Sequence, residues 1–366
     1  MARFESALSR ALARHGRLRE ADAQIISRAC ETARFDAAQL ARKGRAGTLA
    51  IPFVTQLSAQ VAAASPDAAK HVHENATSQD VIDTATVLCL KAACARVLEL
   101  ATRLGDAASQ LAQRYSKTPV AARTLLQPAL PVPFGWKAAV WLSMLARSVT
   151  GLRRAADAAC VLQFGGPSGT LASLGDRGAA VAATLAEELG LPPSPVPWHS
   201  ARDGFARLGA ELAILSGAAG KIGRDVSLLM QREVGEAAEP AAAGRGGSSS
   251  MPHKRNPALS MLALEAAQRA PGLATTLLVQ LTPEHERGLG QWQSQWFTLR
   301  ELACATASGT AAMADVLEGL EVDERAMQEN LESLLKDHAR DSFGAAGAMI
   351  EAALAEWTEA RRGTAP

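Results

Sequence analysis

The segment with the clearest chemical potential is a loop at residues 246–257, where glycines precede three serines and then two cations. A serine hydroxyl can exchange a proton with a substrate when nearby cations and backbone donors stabilise its alkoxide. Asn256-Pro257 is typical of a helix start, and free N–H groups there favour an anion. The loop therefore predicts proton transfer beside an anion-binding helix start, although its composition alone would also suit a flexible basic linker.

A second polar cluster occupies residues 71–80. His73 could act as an acid or bind a ligand, although a lone histidine is more often structural. Thr77 and Asp80 have the spacing of a capping box, which alone would explain both residues. His71 and His73 lack the ligand spacing of known zinc motifs, so we expect no metal site.

Two further segments are ambiguous. Residues 122–128 place polar side chains before a proline-rich stretch and predict a loop that ends a helix. Residues 284–287 read as a charged turn, and Trp292 with Trp296 has the i,i+4 spacing of an aromatic contact in the core.

Composition excludes several classes of function. The formal net charge is +1, so no global field attracts the protein to nucleic acid or to an anionic membrane. The five cysteines form no CxxC pair and favour a reducing cytoplasm. No signal peptide and no apolar run long enough for a membrane span is recognisable. We expect a soluble, cytoplasmic protein.

Apolar residues at alternating spacings of three and four predict two long helices. One stripe consists of Leu90, Cys94, Val97, Ala101, Leu104, Ala108 and Leu111, between about residues 84 and 117. The other consists of Phe205, Leu208, Leu212, Leu215, Ala219, Ile222, Val226 and Leu229. Helices of this length need long partners, so an elongated bundle is expected.

The predicted fold is all-α, because alternating β-branched stretches are nearly absent. The expected division is an N-terminal helical domain at 1–82, a central long-helix bundle at 83–330 that carries the loop at 244–257, and a short C-terminal helical segment at 331–366.

In their order and separation, the segments at residues 71–80, 122–128 and 246–257 resemble the first, second and third conserved regions of the fumarase/aspartase superfamily. The loop resembles its signature, Gly-Ser-Ser-x-Met-Pro-x-Lys-x-Asn-Pro. Four segments resemble the carboxymuconate cycloisomerases within that superfamily, at residues 73–84, 169–177, 220–225 and 284–290.

The resemblance implies roles by position. Ser248 corresponds to the catalytic serine that exchanges a proton with carbon, and His73 to a catalytic acid or ligand contact. The implied substrate-binding residues are Thr77, Ser78, Thr124, Gln127, Ser249, Lys254 and Asn256. Lys254 and Asn256 correspond to residues that hold a substrate carboxylate.

Leu125 is the main departure from the superfamily's lyases. Argininosuccinate lyase and related enzymes have Arg-Thr-His in the second region, whereas this sequence has Arg123-Thr124-Leu125. The role of that histidine cannot exist here. Because the cycloisomerases also lack it, Leu125 favours a cycloisomerase over an amino-acid lyase.

The resemblance further implies lactonisation of a carboxylated cis,cis-muconate, with no metal, nicotinamide or flavin cofactor. The implied partners are a small tricarboxylate-type substrate and three further copies of the chain, in a homotetramer whose sites gather regions from different subunits. Three alternatives stay open: an argininosuccinate or adenylosuccinate type of lyase, a cycloisomerase for another muconate, and a non-catalytic structural member.

Overall fold

The computed structural model describes residues 1–45, 47–242, 245–247, 251, 254–334 and 343–363. Over these ranges the chain is mostly helical, which confirms the predicted all-α class. The helices are α1 (Ala2–Arg14), α2 (Glu20–Thr32), α3 (Ala37–Gly44), α4 (Ala50–Ala62), α5 (Pro66–Ala69), α6 (Ser78–Arg114), α7 (Phe134–Ala159), α8 (Gly178–Leu189), α9 (Asp203–Leu229), α10 (Ala258–Leu278), α11 (Gln291–Glu318), α12 (Glu324–Leu334) and α13 (Ala346–Arg362). A 3-10 helix covers Ala172–Arg177, and the short strands are β1 (Pro119–Thr124), β2 (Gln127–Pro133), β3 (Ala237–Ala238) and β4 (Glu321–Val322). Among these helices, none has the length and apolarity needed to cross a membrane.

The chain divides into two compact units built from separate stretches. The first comprises Met1–Ala92, Ala156–Ala206 and Leu278–Phe297, and the second Ala93–Ala155, Arg207–Leu277 and Thr298–Pro366. The long helices α6, α7, α9 and α11 have residues in both. The division into three domains expected from the sequence stays a prediction.

The first unit is organised around α1, which packs against α2 and α8. Phe4, Leu8 and Leu12 of α1 are at most 1% exposed, and removing such side chains from water is the main stabilising contribution. The predicted contact between Trp292 and Trp296 is confirmed, with ring centroids 4.9 Å apart and planes at 90°. Because α1 is embedded in this core, a polar side chain on its buried face needs an internal partner.

The two predicted long helices are confirmed as α6, of 37 residues, and α9, of 27 residues. Every member of both apolar stripes is buried. At about 1.5 Å per residue, α6 is about 55 Å long. It begins at Ser78 rather than near Thr84, so the end of the first polar segment lies within the helix.

The predicted loop at residues 122–128 is wrong, because β1 and β2 form an antiparallel hairpin there. Thr124 pairs with Gln127, which leaves Leu125 and Leu126 as the turn. Both leucines have positive φ, as a type I′ turn requires, whereas that turn normally carries Asn-Gly. Prolines are tolerated in β2 because a strand in a two-stranded sheet leaves one edge unpaired. The sequence thus lacked the usual hairpin signals.

Candidate active site

His73 lies between α5 and α6 in the first predicted region. Its Nδ1 is 2.6 Å from Oε1 of Glu5 on α1, and its backbone N–H donates to Oε2 of the same carboxylate over 3.1 Å. Burial lowers the pKa of His73, but the hydrogen bond and charge of Glu5, together with the charge of Asp80, raise it more. The resulting pKa of the His73 imidazole is above that of an ordinary histidine, so the ring is protonated more readily.

Thr77 and Ser78 lie at the N-terminal end of α6. The Thr77 N–H donates to Oδ2 of Asp80 over 3.0 Å, which confirms the capping interaction predicted from their spacing. The Thr77 hydroxyl accepts a hydrogen bond from Nη1 of Arg287, also at 3.0 Å. The first region therefore offers an imidazole and a hydroxyl that is already bonded to a guanidinium.

Arg287 is a candidate site residue that the sequence placed in a charged turn. Its Nη2 donates to the carbonyl oxygen of Pro167 over 3.1 Å, and its Nε is buried without a hydrogen-bond partner in the described part of the chain. A buried donor without a partner is unfavourable, and a carboxylate of a ligand could satisfy it. The resemblance of residues 284–290 was the one signal in the sequence for this position.

Asp80 is the buried carboxylate that holds the first region in place. It is 0% exposed and accepts hydrogen bonds from four donors. These are the backbone N–H groups of Thr77, Gly165 and Gly166 and Nε2 of His199, which is 2.7 Å away. The capping-box spacing predicted only the Thr77 donor, because the other three donors lie at least 85 residues away in the sequence.

Asp83, also on α6, forms a second buried anchor with Arg202. Nη1 of Arg202 is 2.7 Å from Oδ2 of Asp83, and both side chains are 2% exposed. The guanidinium lies 4.8 Å from the Trp198 ring and 4.9 Å from the Phe205 ring. Nε1 of Trp292 donates to the other Asp83 oxygen over 2.9 Å. This network fixes the start of α6, and with it Thr77 and Ser78.

The second predicted region forms the end of the β1–β2 hairpin in the second unit. Thr124 and Gln127 are paired across the strands, so the hairpin brings these two predicted residues together, and both are exposed. Both Nη atoms of Arg123 donate to the fully buried carboxylate of Glu236, over 2.8 and 2.7 Å. The hairpin is therefore anchored at Arg123, and Thr124 and Gln127 at its end are exposed in the part of the chain that the structure describes.

Leu125 and Leu126 at the hairpin end combine strain with exposure. Their φ angles are 51° and 66°, and they are 97% and 75% exposed. A left-handed conformation costs a residue other than glycine about 1–2 kcal/mol. Strain of this kind persists where the surrounding structure requires it, and it is common at functional sites.

A cavity of about 600 Å³ in the second unit is lined in part by this turn. Trp136, Trp141, Lys137 and Lys221 are among its lining residues, and Lys221 forms an ion pair with Asp225, which also lines it. Burial lowers the pKa of Lys137, and the charge of Arg123 lowers it further. The hairpin end thus borders a cavity lined by tryptophans and charged side chains that the sequence did not predict.

The third predicted region is described at the loop stem, which we define as Gly246 and residues 254–257. Ser248 and Ser249 lie outside the described residues. The Asn256 N–H donates to the carbonyl oxygen of Gly246 over 2.8 Å, which closes the stem. Gly246 has a φ of 64°, and a Cβ there would lie 2.4 Å from the Asn256 oxygen, so glycine is required. Lys254 is exposed and Asn256 half-buried.

Arg255 anchors the stem between those two predicted residues. Its Nη1 and Nη2 donate to the two carboxylate oxygens of Glu321 over 2.9 and 3.0 Å. Nη2 also donates to the carbonyl oxygen of Glu239 over 2.6 Å. The backbone on both sides of Arg255 is thereby positioned.

The prediction of free N–H groups at the start of α10 is wrong. The Glu239 carboxylate accepts hydrogen bonds from the backbone N–H groups of Leu259 and Ser260, over 3.0 and 2.7 Å. Oε1 also accepts the Ser260 hydroxyl over 2.7 Å. Glu239 is 6% exposed, so the chain itself supplies the anion that this helix start favours. A ligand carboxylate near the stem must be held by side chains instead.

Comparisons with known proteins place the chain in a family. The sequence profile of a family described as lyase matches residues 1–272. The 3-carboxy-cis,cis-muconate cycloisomerase of Bradyrhizobium diazoefficiens is 49% identical over 331 residues, which cover 90% of this chain and 73% of that protein. The nitrosuccinate lyase of Streptomyces davaonensis is 41% identical over 346 residues, covering 91% and 72%.

A solved structure agrees with these sequence matches. The crystal structure of 3-carboxy-cis,cis-muconate lactonizing enzyme from Pseudomonas putida superposes with a TM-score of 0.91 at 34% identity, covering 98% of this chain and 94% of that one. The same family is indicated by the helical fold, by the order of the three regions along the chain and by these similarities. The chain belongs to the lyase family of the fumarase/aspartase superfamily.

Proposed function

We propose that this protein is a cycloisomerase that converts 3-carboxy-cis,cis-muconate to 4-carboxymuconolactone. The observation that carries the proposal is the similarity to the Bradyrhizobium diazoefficiens cycloisomerase over 90% of the chain. On this proposal the protein works in the cytoplasm, in the protocatechuate branch of aromatic-compound catabolism.

The proposed reaction is an intramolecular addition followed by protonation. An oxygen of one substrate carboxylate forms a bond to a conjugated carbon, and the electron pair of the double bond moves into a neighbouring carboxylate. Ser248 then gives its proton to the adjacent carbon, which restores that carboxylate and leaves the lactone. The serine alkoxide regains a proton from solvent, so each turnover consumes one proton.

The polyanionic substrate and the still more basic intermediate require cations. The described candidates are Arg287, which has a buried Nε without a described partner, His73, whose pKa is raised, and the exposed Lys254. Preorganised donors that stabilise charge in the transition state contribute about 2.7–4 kcal/mol each. Asn256, Ser78 and Ser249 are proposed to add neutral hydrogen bonds.

The hairpin end supports a cycloisomerase rather than an elimination enzyme. Thr124 and Gln127 are proposed to contact the substrate, and Leu125 between them is apolar and cannot transfer a proton. An addition in which the substrate supplies its own nucleophile needs no base at that position. Leu125 is then an apolar wall against the diene.

A homotetramer with shared sites follows from the same proposal. The strained, exposed Leu125 and Leu126 favour it, because a second copy would remove both side chains from water. Light scattering of the purified protein should give the mass of four chains. An active monomer would contradict this part of the proposal.

The test is an ultraviolet assay of the loss of the conjugated diene of 3-carboxy-cis,cis-muconate. We expect Ser248→Ala to lower kcat by about 10²- to 10⁴-fold, the usual contribution of a positioned acid or base. Ser250→Ala, in the same loop, is the matched control and should retain activity. Near-normal lactonisation by the Ser248 variant would remove the serine from the mechanism.

Elimination is the second candidate, because the chain is 41% identical to a nitrosuccinate lyase. A panel with nitrosuccinate, argininosuccinate, adenylosuccinate and differently substituted muconates separates the two reaction types. Turnover of a succinate derivative without lactonisation would replace the cycloisomerase, and no turnover of any member would favour a structural role.

A further inference from the structure

Glu5 is the one charged residue among the buried residues of α1, which are otherwise apolar side chains and the two serines Ser6 and Ser9. Its neighbours on α1 include Phe4, Ala7 and Leu8, and Glu5 itself is 1% exposed. A carboxylate is seldom buried unless a partner compensates for the lost hydration. The structure provides one such partner, His73.

Both oxygens of Glu5 are used to hold His73. Oε1 is 2.6 Å from Nδ1 of the imidazole, and Oε2 accepts the backbone N–H over 3.1 Å. The backbone of His73 is left-handed, with a φ of 63°, which is unfavourable for a residue with a side chain. One carboxylate therefore fixes both the strained backbone and the direction of the ring.

This geometry distinguishes the two ring nitrogens. Nδ1 is committed to Glu5, whereas Nε2 of His73 has no hydrogen-bond partner among the residues described. A carboxylate on one nitrogen favours a proton there and also stabilises the doubly protonated ring, in which Nε2 is a donor. When the ring is doubly protonated, which the raised pKa of His73 favours, Nε2 is a charged donor that Glu5 does not occupy.

The other ionisable groups around the pair are few. The Asp80 carboxylate acts on His73 through its charge and is itself bonded to His199. Cys30 also interacts with Glu5 by charge, but burial raises the pKa of its thiol to about 12, so it is uncharged near neutral pH. The remaining neighbours are the Met1 amino group, which interacts with Glu5 by charge, and the adjacent half-buried pair of His71 and Glu74.

We propose that Glu5 is a positioning residue that presents Nε2–H of His73 to a carboxylate of the substrate. This assignment rests on the proposed function, since it needs an anionic substrate. It gives His73 the role of a cationic binding group and leaves carbon protonation to Ser248. Glu5 does not touch the substrate.

The first experiment follows the imidazole by NMR in the protein without substrate. Among the seven histidines, the His73 signal is the one missing from His73→Asn. We expect its pKa to be raised in the wild type and to fall in Glu5→Gln, which keeps the shape but removes the charge. Glu74→Gln, which removes the carboxylate 2.6 Å from Nδ1 of the half-buried His71, is the matched control and should leave the pKa of His73 unchanged.

The second experiment measures KM and kcat for 3-carboxy-cis,cis-muconate against pH. In Glu5→Gln we expect KM to rise about tenfold at pH values above the lowered pKa, as for the loss of one charge-assisted hydrogen bond. At lower pH, where His73 is again protonated, KM should recover, and kcat should change much less. Glu5→Asp keeps the charge but shortens the side chain, and it should restore most of the affinity. If Glu5 acted only by filling space, Glu5→Gln would bind the substrate better than Glu5→Asp.

Each outcome decides the proposal. An unchanged His73 pKa in Glu5→Gln, or a KM that does not follow the pKa, overturns it. If Glu5→Gln does not fold, the pKa of His73 in the wild type decides. A pKa at or below that of an ordinary histidine overturns the proposal, and a raised pKa supports it. If the wild type fails to turn over the muconate, the proposed function fails, while the NMR result still tests the pairing of Glu5 with His73.

Discussion

The first region and the loop stem are held by opposite kinds of contact. Around residues 73–84 the anchors are three carboxylates, Glu5, Asp80 and Asp83, each at most 2% exposed. At the stem the charged anchor is the pair of Arg255 and Glu321, whose side chains are 49% and 48% exposed. Breaking a buried pair costs about 3–5 kcal/mol, whereas an exposed pair contributes about 0–1 kcal/mol.

The difference assigns separate tasks to the two regions. Groups that must recognise several carboxylates benefit from fixed positions, because preorganised donors need no rearrangement when charge develops. The exposed pair of Arg255 and Glu321 adds little to the stability of the stem, which the backbone hydrogen bond between Asn256 and Gly246 also closes. The buried Glu239 carboxylate gives the third region an anchor of intermediate strength, because it caps the start of α10 but does not hold the residues before that helix.

Asp83→Asn should give the largest loss of stability. It leaves the Arg202 charge buried without its partner, so we expect about 3–5 kcal/mol of destabilisation. Thermal unfolding at fixed subunit concentration, followed by circular dichroism, measures it. Asp67→Asn at the exposed Lys70 pair is the control and should leave the midpoint unchanged. A similar midpoint for both variants would remove the contrast between buried and exposed anchors.

Glu239→Gln should give an intermediate effect. A neutral amide offers one acceptor oxygen where the carboxylate offers two, so the cap of Leu259 and Ser260 is weakened by about 0.5–2 kcal/mol. The same unfolding measurement applies. Glu265→Gln, on the exposed side of α10, serves for comparison. A loss as large as that of Asp83→Asn would show that the third region is as firmly anchored as the first.

Arg255→Met should affect stability by less than about 1 kcal/mol. We expect a larger effect on activity, with kcat/KM lowered about ten- to hundredfold, because Lys254 and Asn256 lose their common anchor. Parallel steady-state and unfolding measurements separate the two quantities. Unchanged kinetics would mean that the Glu321 contact does not position the stem.

The smallest expected effect is the pH dependence that His73 gives to stability. Because its pKa is raised in the folded protein, its stabilising contribution is complete below the pKa of the unfolded chain and is lost as pH rises through the folded value. The melting temperatures of the wild type and His73→Asn should therefore differ most in mild acid and converge as pH rises. A difference that grows with pH would contradict the assigned pairing with Glu5.

Local patterns in the sequence predicted what depends on neighbours along the chain. The stripes of α6 and α9 follow from helical periodicity, and the cap of Thr77 by Asp80 follows from a spacing of three residues. The motif around Ser248 and Lys254 identified the superfamily. The hairpin at Leu125 and Leu126 escaped prediction, because neither residue favours the left-handed turn that the strands require.

The sequence by itself determined the helical class, the long helices and the types of residue available for chemistry. The tertiary structure decided how those residues are charged and oriented. Glu5 meets His73 across 68 residues, and Arg202 meets Asp83 across 119. Glu239 occupies the helix start that was expected to bind a ligand. These partners are far apart along the chain and meet only when the core packs, so no periodic pattern in the sequence predicts them.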